Sequence, residues 1–395
     1  MNSQDTPIHI KLWHRDFWFM LLCNLLMSSS VYSMIPAMPS WMETMGYSNV
    51  NKGIAMLLFI VGIVVAGPHI DYMLEKHPRK RVCTTAILCL AALFGAMTLI
   101  CSDEMICMQK SVLLLLLFLF RFLSGAAFGI AQIALLSTLV IDRSNSSQRT
   151  EANYVSSWFG RLALALGPFA TLIILPLTSI KMVFIVSAVI CIACWFIMNS
   201  VKIPFKTPKE EYHYFSCDRF FLKQGWWLFL NFILVTISIG MILTTYVDMK
   251  FYGMLCVGFM FSIISQRLIF ADADLKSEVI TGLILIGAAI LILITYEQRI
   301  STYLPPTLIG LGLGLISSRF MLFFLKLSKH CQRGTSQSTF ILAWEAGIAI
   351  GLFLGFILLD SGTNIVLYVS LSSIVIALVM YNTFTHNWFM THKNR

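Results

Sequence analysis

Charge is what this chain has little of. Only 12% of its 395 residues are Asp, Glu, Lys or Arg, against about 25% in an ordinary soluble domain. The apolar share is 58% and the mean hydropathy +0.80, which excludes a free soluble globule. No polar stretch is long enough to form a separate domain. Runs of alternating polarity are missing as well, and a membrane barrel needs about ten such residues per strand. No basic patch is interleaved with aromatics, so the net charge of +9 is not a nucleic-acid footprint. The ten cysteines show no ligand spacing, which speaks against a bound metal. LGLGL at 311–315 lies in an apolar run with no strand before it, so it reads as packing, not as a phosphate cradle. With no nucleophile–base pair either, a membrane-embedded enzyme has nothing to work with, and no cofactor is implied.

What is present is a series of twelve long apolar runs, roughly 17–39, 50–70, 81–101, 111–140, 154–177, 180–201, 226–247, 251–270, 278–296, 303–326, 337–360 and 363–385. Each has the length that crosses a bilayer, about 20 residues. Each must be helical, because hydrocarbon offers no partner to a bare peptide group. The first run follows Lys11 and Arg15 as a signal peptide would, but it is too long and ends in MIPAMP, without small residues for cleavage. With the N-terminus inside and the runs alternating, twenty of the 28 lysines and arginines fall on inner segments and five on outer ones. That excess is the positive-inside pattern, and it predicts a multi-pass protein of the inner or plasma membrane with both termini cytoplasmic.

The longest inner connection, about 202–225, carries Pro204 and Pro208 and divides the runs six and six. It reads as a tether, with a surface-lying amphipathic segment as the alternative. The expected organisation is an N-terminal bundle at 1–201, a linker at 202–225 and a C-terminal bundle at 226–395. The halves also echo each other. At a constant offset of 184, Arg149 falls on Arg333, Arg161 on Glu345, Ala163 on Gly347, Gly167 on Gly351 and Thr171 on Gly355. Small residues four apart share one helix face, where backbones can approach closely. Parallel repeats of six spans build one large class of secondary transporters.

Four motifs then carry a resemblance. GPHIDYMLEKHPRKR follows the second span, RFLSGAAFG lies in the fourth, ALALGPFAT in the fifth, and PAMP ends the first. In these the chain resembles the major facilitator superfamily, nearest its twelve-span exporters. The resemblance implies an all-α membrane protein, with twelve transmembrane helices in two pseudo-symmetric six-helix bundles. It implies a conformational latch at Gly67, Asp71, Arg79, Lys80 and Asp142, packed against the start of the eleventh span near Ser336. Two or three extra residues precede the basic cluster, and Pro78 stands where a glycine is usual. Gly167 and Pro168 match the exporter motif, but Ala163 and Thr171 replace its flanking glycines. On electrostatic grounds alone, Asp71 can pair with Arg79 or Lys80, or cap a neighbouring helix N-terminus.

Three ionisable residues lie near mid-membrane: Glu345, about eight residues into its span and so roughly 12 Å deep, Arg161 at the matching depth, and Arg121. A charge there costs on the order of 2.5–3.5 kcal/mol. Such groups gather where a water-accessible central cavity receives them. Two arginines against one glutamate favour a substrate with an anionic group, held by bidentate hydrogen bonds. Glu345 is the candidate proton carrier, because a carboxyl group in partly dry surroundings exchanges protons near neutral pH. Asn24, Tyr32, Gln132, Asn231 and Trp344 are candidate supports, with helix–helix hydrogen bonding as the plain alternative. The first span offers no acid of the kind that proton-coupled exporters often carry. Arg319, near an inner span end, is expected to snorkel. Cys101 and Cys107 can meet near the outer face, and Asn145-Ser-Ser is a glycosylation pattern on the inner side.

The expected function is secondary transport of a small solute by alternating access in a monomer, with protons as the coupling ion and antiport as the mode if it exports. The alternative is a transporter-like sensor or assembly factor that moves nothing.

Overall fold

The structure, a computed structural model, describes residues 12–101, 109–145, 148–203, 214–270, 273–295, 299–329 and 332–394. Expectations resting on Lys11, Cys107, Ser146, Ser147, Pro204, Pro208 and Arg395 lie outside these residues. Twelve helices are long and apolar enough to cross a membrane: α1 Arg15–Thr44, α2 Asn49–Lys76, α3 Arg79–Ile100, α4 Lys110–Asp142, α5 Arg149–Leu177, α6 Ile180–Ser200, α7 Lys223–Thr245, α8 Met249–Leu268, α9 Leu275–Thr295, α10 Thr302–Leu327, α11 Arg333–Leu359 and α12 Thr363–His392. Among the described residues there is no strand. Each apolar run becomes one helix. Several helices run past the apolar stretch at the end where the basic residues gather, called the basic end below. There α2 continues to Lys76, and α5 begins at Arg149.

Local departures from regular helix have local causes. A turn at Ser33 interrupts α1, because the ring of Pro36 leaves the Tyr32 carbonyl without its helical donor. Single π-helical turns occur at Ala134–Leu139 in α4 and Tyr381–Thr385 in α12.

The two halves pack alike. In the first, α1 lies on α5, α2 on α4 and α3 on α6; in the second, α7 lies on α11, α8 on α10 and α9 on α12. Between halves, α2 meets α11 and α5 meets α8, which are equivalent pairs under the repeat. Small residues set the closest approaches. A Cβ at Gly125 would stand 1.9 Å from the Phe59 carbonyl oxygen, locking α4 to α2. Gly258 and Gly310 face the opposite backbone in the same way between α8 and α10. A Cβ at Gly167, beside Pro168, would stand 2.4 Å from the Ser29 carbonyl oxygen of α1. A Cβ at its repeat partner Gly351 would stand 2.2 Å from the Ile237 carbonyl oxygen of α7. Gly347 and Gly355 meet the hydroxyls of Thr236 and Thr244 on α7.

A Gly125→Ala substitution forces α2 and α4 apart and is expected to cost about 1–3 kcal/mol, read as a lower melting temperature in detergent. Gly95→Ala is the control. Its Cβ enters open space, and alanine favours the helix, so no loss is expected there.

Candidate functional site

The turn at Ser33 leaves Tyr32 at the end of the first segment of α1, aimed across to the second half. Its hydroxyl donates to Glu345 Oε1 at 2.5 Å, while the Trp344 indole N–H donates to the Tyr32 oxygen at 3.0 Å. Glu345 lies in α11 and is 2% exposed. Among the described residues it forms no ion pair, although two buried arginines flank it.

Arg121, in α4, donates through Nε to the Ala55 carbonyl at 3.2 Å and lies over the Phe59 ring, 4.8 Å from its centroid. It lines a cavity of about 20 Å³ together with Met56, Tyr32 and Glu345. Arg161, in α5, donates Nη1 to Ser317 Oγ at 2.6 Å and to Ser318 Oγ at 3.2 Å, both on α10. Its Nε bonds the Ser157 carbonyl, and its plane faces Phe340. Its Nη2 is buried without a partner, and so is Oε1 of Gln132. These two residues line a second cavity of about 20 Å³ with Tyr32, Trp344 and Glu345. The Tyr32–Glu345 pair is thus a shared wall between an Arg121 chamber and an Arg161 chamber.

Each chamber has room for about one water. The water-accessible central cavity expected from three charges at one depth is therefore not open in this conformation. The reason is closure at both ends. Away from the basic end, Asn49 Nδ2 donates to Asp360 at 2.6 Å, and Gly53 lies against Phe353, joining α2 to α11. At the basic end, Gly334 of α11 presses on the Ser137 carbonyl of α4.

Glu345, Arg161, Arg121, Gln132, Trp344 and Tyr32 therefore meet around one centre. Asn24 and Asn231 do not. Asn24 donates to the Ser156 carbonyl at 2.9 Å, tying α1 to α5, and Asn231 to the Ala377 carbonyl at 3.0 Å, tying α7 to α12. Neither lines the chambers. Ser317 and Ser318 were not singled out from the sequence. Two adjacent serines before Arg319 inside an apolar span were the available signal.

The basic end carries the latch residues together with a residue of the linker that the sequence did not point to. Arg79 holds Asp142 at 2.6 Å. Lys80 caps the end of α6 through the Asn199 and Val201 carbonyls, both at 2.8 Å. Asp71 pairs with Arg219, at 2.6 Å, which also takes Glu75 at 2.8 Å. Arg219 belongs to the linker. Beyond Tyr214 that segment is neither a free tether nor a surface-lying amphipathic helix. Ser216 N–H bonds the Pro68 carbonyl at 3.0 Å, and Phe220 covers Gly67, where a Cβ would stand 2.4 Å from the ring. On the other side Thr335 donates to the Asp218 carbonyl at 2.6 Å, and Leu222 N–H donates to Thr339 at 2.7 Å. The strap is thus bonded to α2 and α11 at once. An insertion-lengthened signature loop leaves Asp71 facing the linker, whose return path sequence spacing does not reveal. Arg319 does not snorkel. It pairs instead with Glu278, a fully buried carboxylate.

Arg219→Gln and Asp71→Asn are each expected to lower the melting temperature. In the double variant the losses should fall short of additive, by a coupling of roughly 0.5–3 kcal/mol. Strictly additive losses would disprove the contact.

The family model described as Major Facilitator Superfamily matches residues 20–352. No curated protein matches the chain closely enough to count as a relative. Among solved structures, a bacterial homologue of the iron transporter ferroportin in its outward-facing state is similar with a TM-score of 0.66 at 19% identity, covering 95% of this chain and 99% of the other. A bacterial homologue of the human lysosomal transporter Spinster, inward-facing and occupied, gives a TM-score of 0.71 at 10% identity, covering 96% and 98%. The human organic anion transporter MFSD10 gives 0.66 at 12% identity, covering 92% and 98%. At these identities the likeness is one of fold. Given a family match over most of its length, this multi-pass membrane protein belongs to the Major Facilitator Superfamily and is a transporter of that family.

Proposed function

We propose that the chain is a secondary transporter for a small solute bearing an anionic group, with Arg161 as the anion-binding residue and Glu345 as the proton carrier. The observation behind this is the orphaned donor Nη2 of Arg161. It is buried, and it lines a chamber also lined by an unpartnered Gln132 oxygen and by Glu345. A buried guanidinium nitrogen without an acceptor is costly unless the working cycle supplies one. A carboxylate or phosphate-like group would supply it bidentately. The organic anion transporter among the structural neighbours is in keeping with this reading.

Electrostatics links the two roles. An ionised Glu345 and an anionic solute compete for the same pair of positive charges at Arg121 and Arg161. A proton on Glu345 removes the competitor, so proton and anion bind together. That argues for co-movement of the two over the antiport expected from the exporter-like motif at Gly167 and Pro168. In the proposed cycle residues 1–201 rock against residues 226–395, in a single chain whose basic end faces the cytoplasm. The Tyr32–Glu345 hydrogen bond breaks as the halves part. Arg121 is given the supporting role, since it bonds the Ala55 carbonyl and the Met56 sulfur and, unlike Arg161, leaves no buried nitrogen without a partner among the described residues.

The test is thermal stabilisation of purified protein by a panel of anions, cations and neutral solutes, at about pH 6 and about pH 8, around the range where such a carboxyl group exchanges protons. An anion should stabilise more at the lower pH. Arg161→Ala should abolish the shift, and Glu345→Gln should keep it but remove its pH dependence. A cationic hit, or an anion indifferent to both substitutions, rejects these roles. Proteoliposomes that bind such an anion but never accumulate it would favour the sensor reading.

A further inference from the structure

A larger space lies away from the centre. On the α5–α8 side between the halves, a crevice of about 710 Å³ is bounded by α5, α8 and α10. This is within the usual range for small-molecule sites, about 300–1,000 Å³. Its mouth is at the basic end, where the exposed Glu151 and Arg267 stand, and its inner wall includes Ser318, the same serine that accepts from Arg161. One wall is aromatic, with Trp158 and Phe159 packed edge to face.

The polar side of the crevice is built. Arg319 is fixed through Nε by the carboxylate of Glu278, which takes a second hydrogen bond from Gln266 Nε2 at 2.8 Å. Gln266 in turn accepts from the Tyr154 hydroxyl at 2.5 Å. This chain runs from α5 through α8 and α9 to α10, so it spans both halves. It occupies one nitrogen of the guanidinium. Among the described residues the two terminal nitrogens of Arg319 have no partner. Trp158 also lines the crevice, and its buried indole N–H is unpartnered. Oriented donors, an exposed arginine at the mouth and an aromatic wall together suit one chemistry.

We infer that this crevice is a second binding site, for an amphiphilic organic anion, whose charged group meets Arg319 and Arg267 and whose apolar body lies against Trp158 and Phe159. The site goes beyond the transport reading and does not depend on Arg161. Its occupant comes either from the membrane, as an anionic lipid, or from solution.

The experiment is saturation binding of radiolabelled naphthalene-2-sulfonate to the full chain in phosphatidylcholine nanodiscs, both in wild type and with Arg161→Ala to silence the centre. Binding should persist with Arg161→Ala. The double substitution Glu278→Gln with Arg319→Gln, which leaves no buried charge unpaired, should weaken it at least about tenfold, or 1.4 kcal/mol. Val155→Trp, which fills the crevice from its wall without touching the charges, should abolish it. Replacing part of the phosphatidylcholine with phosphatidylglycerol separates the sources: competition identifies a lipid occupant, and its absence a soluble one. The inference is overturned if the label fails to bind the Arg161→Ala protein, if neither crevice variant changes binding, or if neutral 2-naphthalenemethanol binds equally well.

Discussion

The hydrogen bond from Tyr32 to Glu345 crosses between the halves at the centre of the helices, and the rest of the site is arranged around it. It joins the broken first helix to the eleventh, and it divides the central space into an arginine chamber on each side. A carboxylate at that depth is tolerable only with such a partner, because hydrocarbon offers no hydrogen bonds and little dielectric relief. The two arginines are satisfied in part by carbonyls, serines and aromatic faces, which leaves one guanidinium nitrogen free. That incompleteness is what makes the centre a candidate for binding. A fully satisfied cluster would be a brace.

Around this contact the fold is closed at both ends by chemically different means. Away from the basic end, one polar hydrogen bond and a glycine–phenylalanine approach hold α2 to α11. At the basic end the closure includes the linker, which lies across α2 and α11 and is hydrogen-bonded to both. The linker therefore acts as more than a tether, since any motion that parts these helices must either release Arg219 and uncover Gly67 on α2 or break the hydrogen bonds to Thr335 and Thr339 on α11. Within each half the same helices pack through glycines on other partners, α2 on α4 and α11 on α7, where backbones meet without side chains between them. Rigid halves and breakable polar seams are the division that a rocking transporter requires.

Much of this was legible in the sequence. Twelve spans follow from run length and hydropathy alone, since the bilayer imposes one local rule on every segment. The glycine repeat at Gly167 and Gly351 pointed to a shared face, and both residues sit where a backbone carbonyl of the paired helix leaves no room for a Cβ. Glu345, Arg161 and Arg121 stood out because charge at mid-span is rare. The same reasoning could not separate Gln132, which lines a chamber, from Asn24 and Asn231, which tie neighbouring helices. All three are polar residues in apolar runs, and helix rotation decides between the two roles. Nor could it separate Arg319, paired with the buried Glu278, from an arginine that merely reaches for the surface.

What the sequence determined by itself is the set of properties each segment has alone: helical, membrane-crossing, and carrying a charge at a given depth. The tertiary structure decided which groups meet. Tyr32 and Glu345 are 313 residues apart, Arg161 and Ser317 are 156 apart, and Arg219 reaches back to Glu75 over 144. No local rule encodes those encounters. They depend on how each helix is rotated about its axis and slid along its neighbours, and those variables are set jointly by all the side chains packed between them.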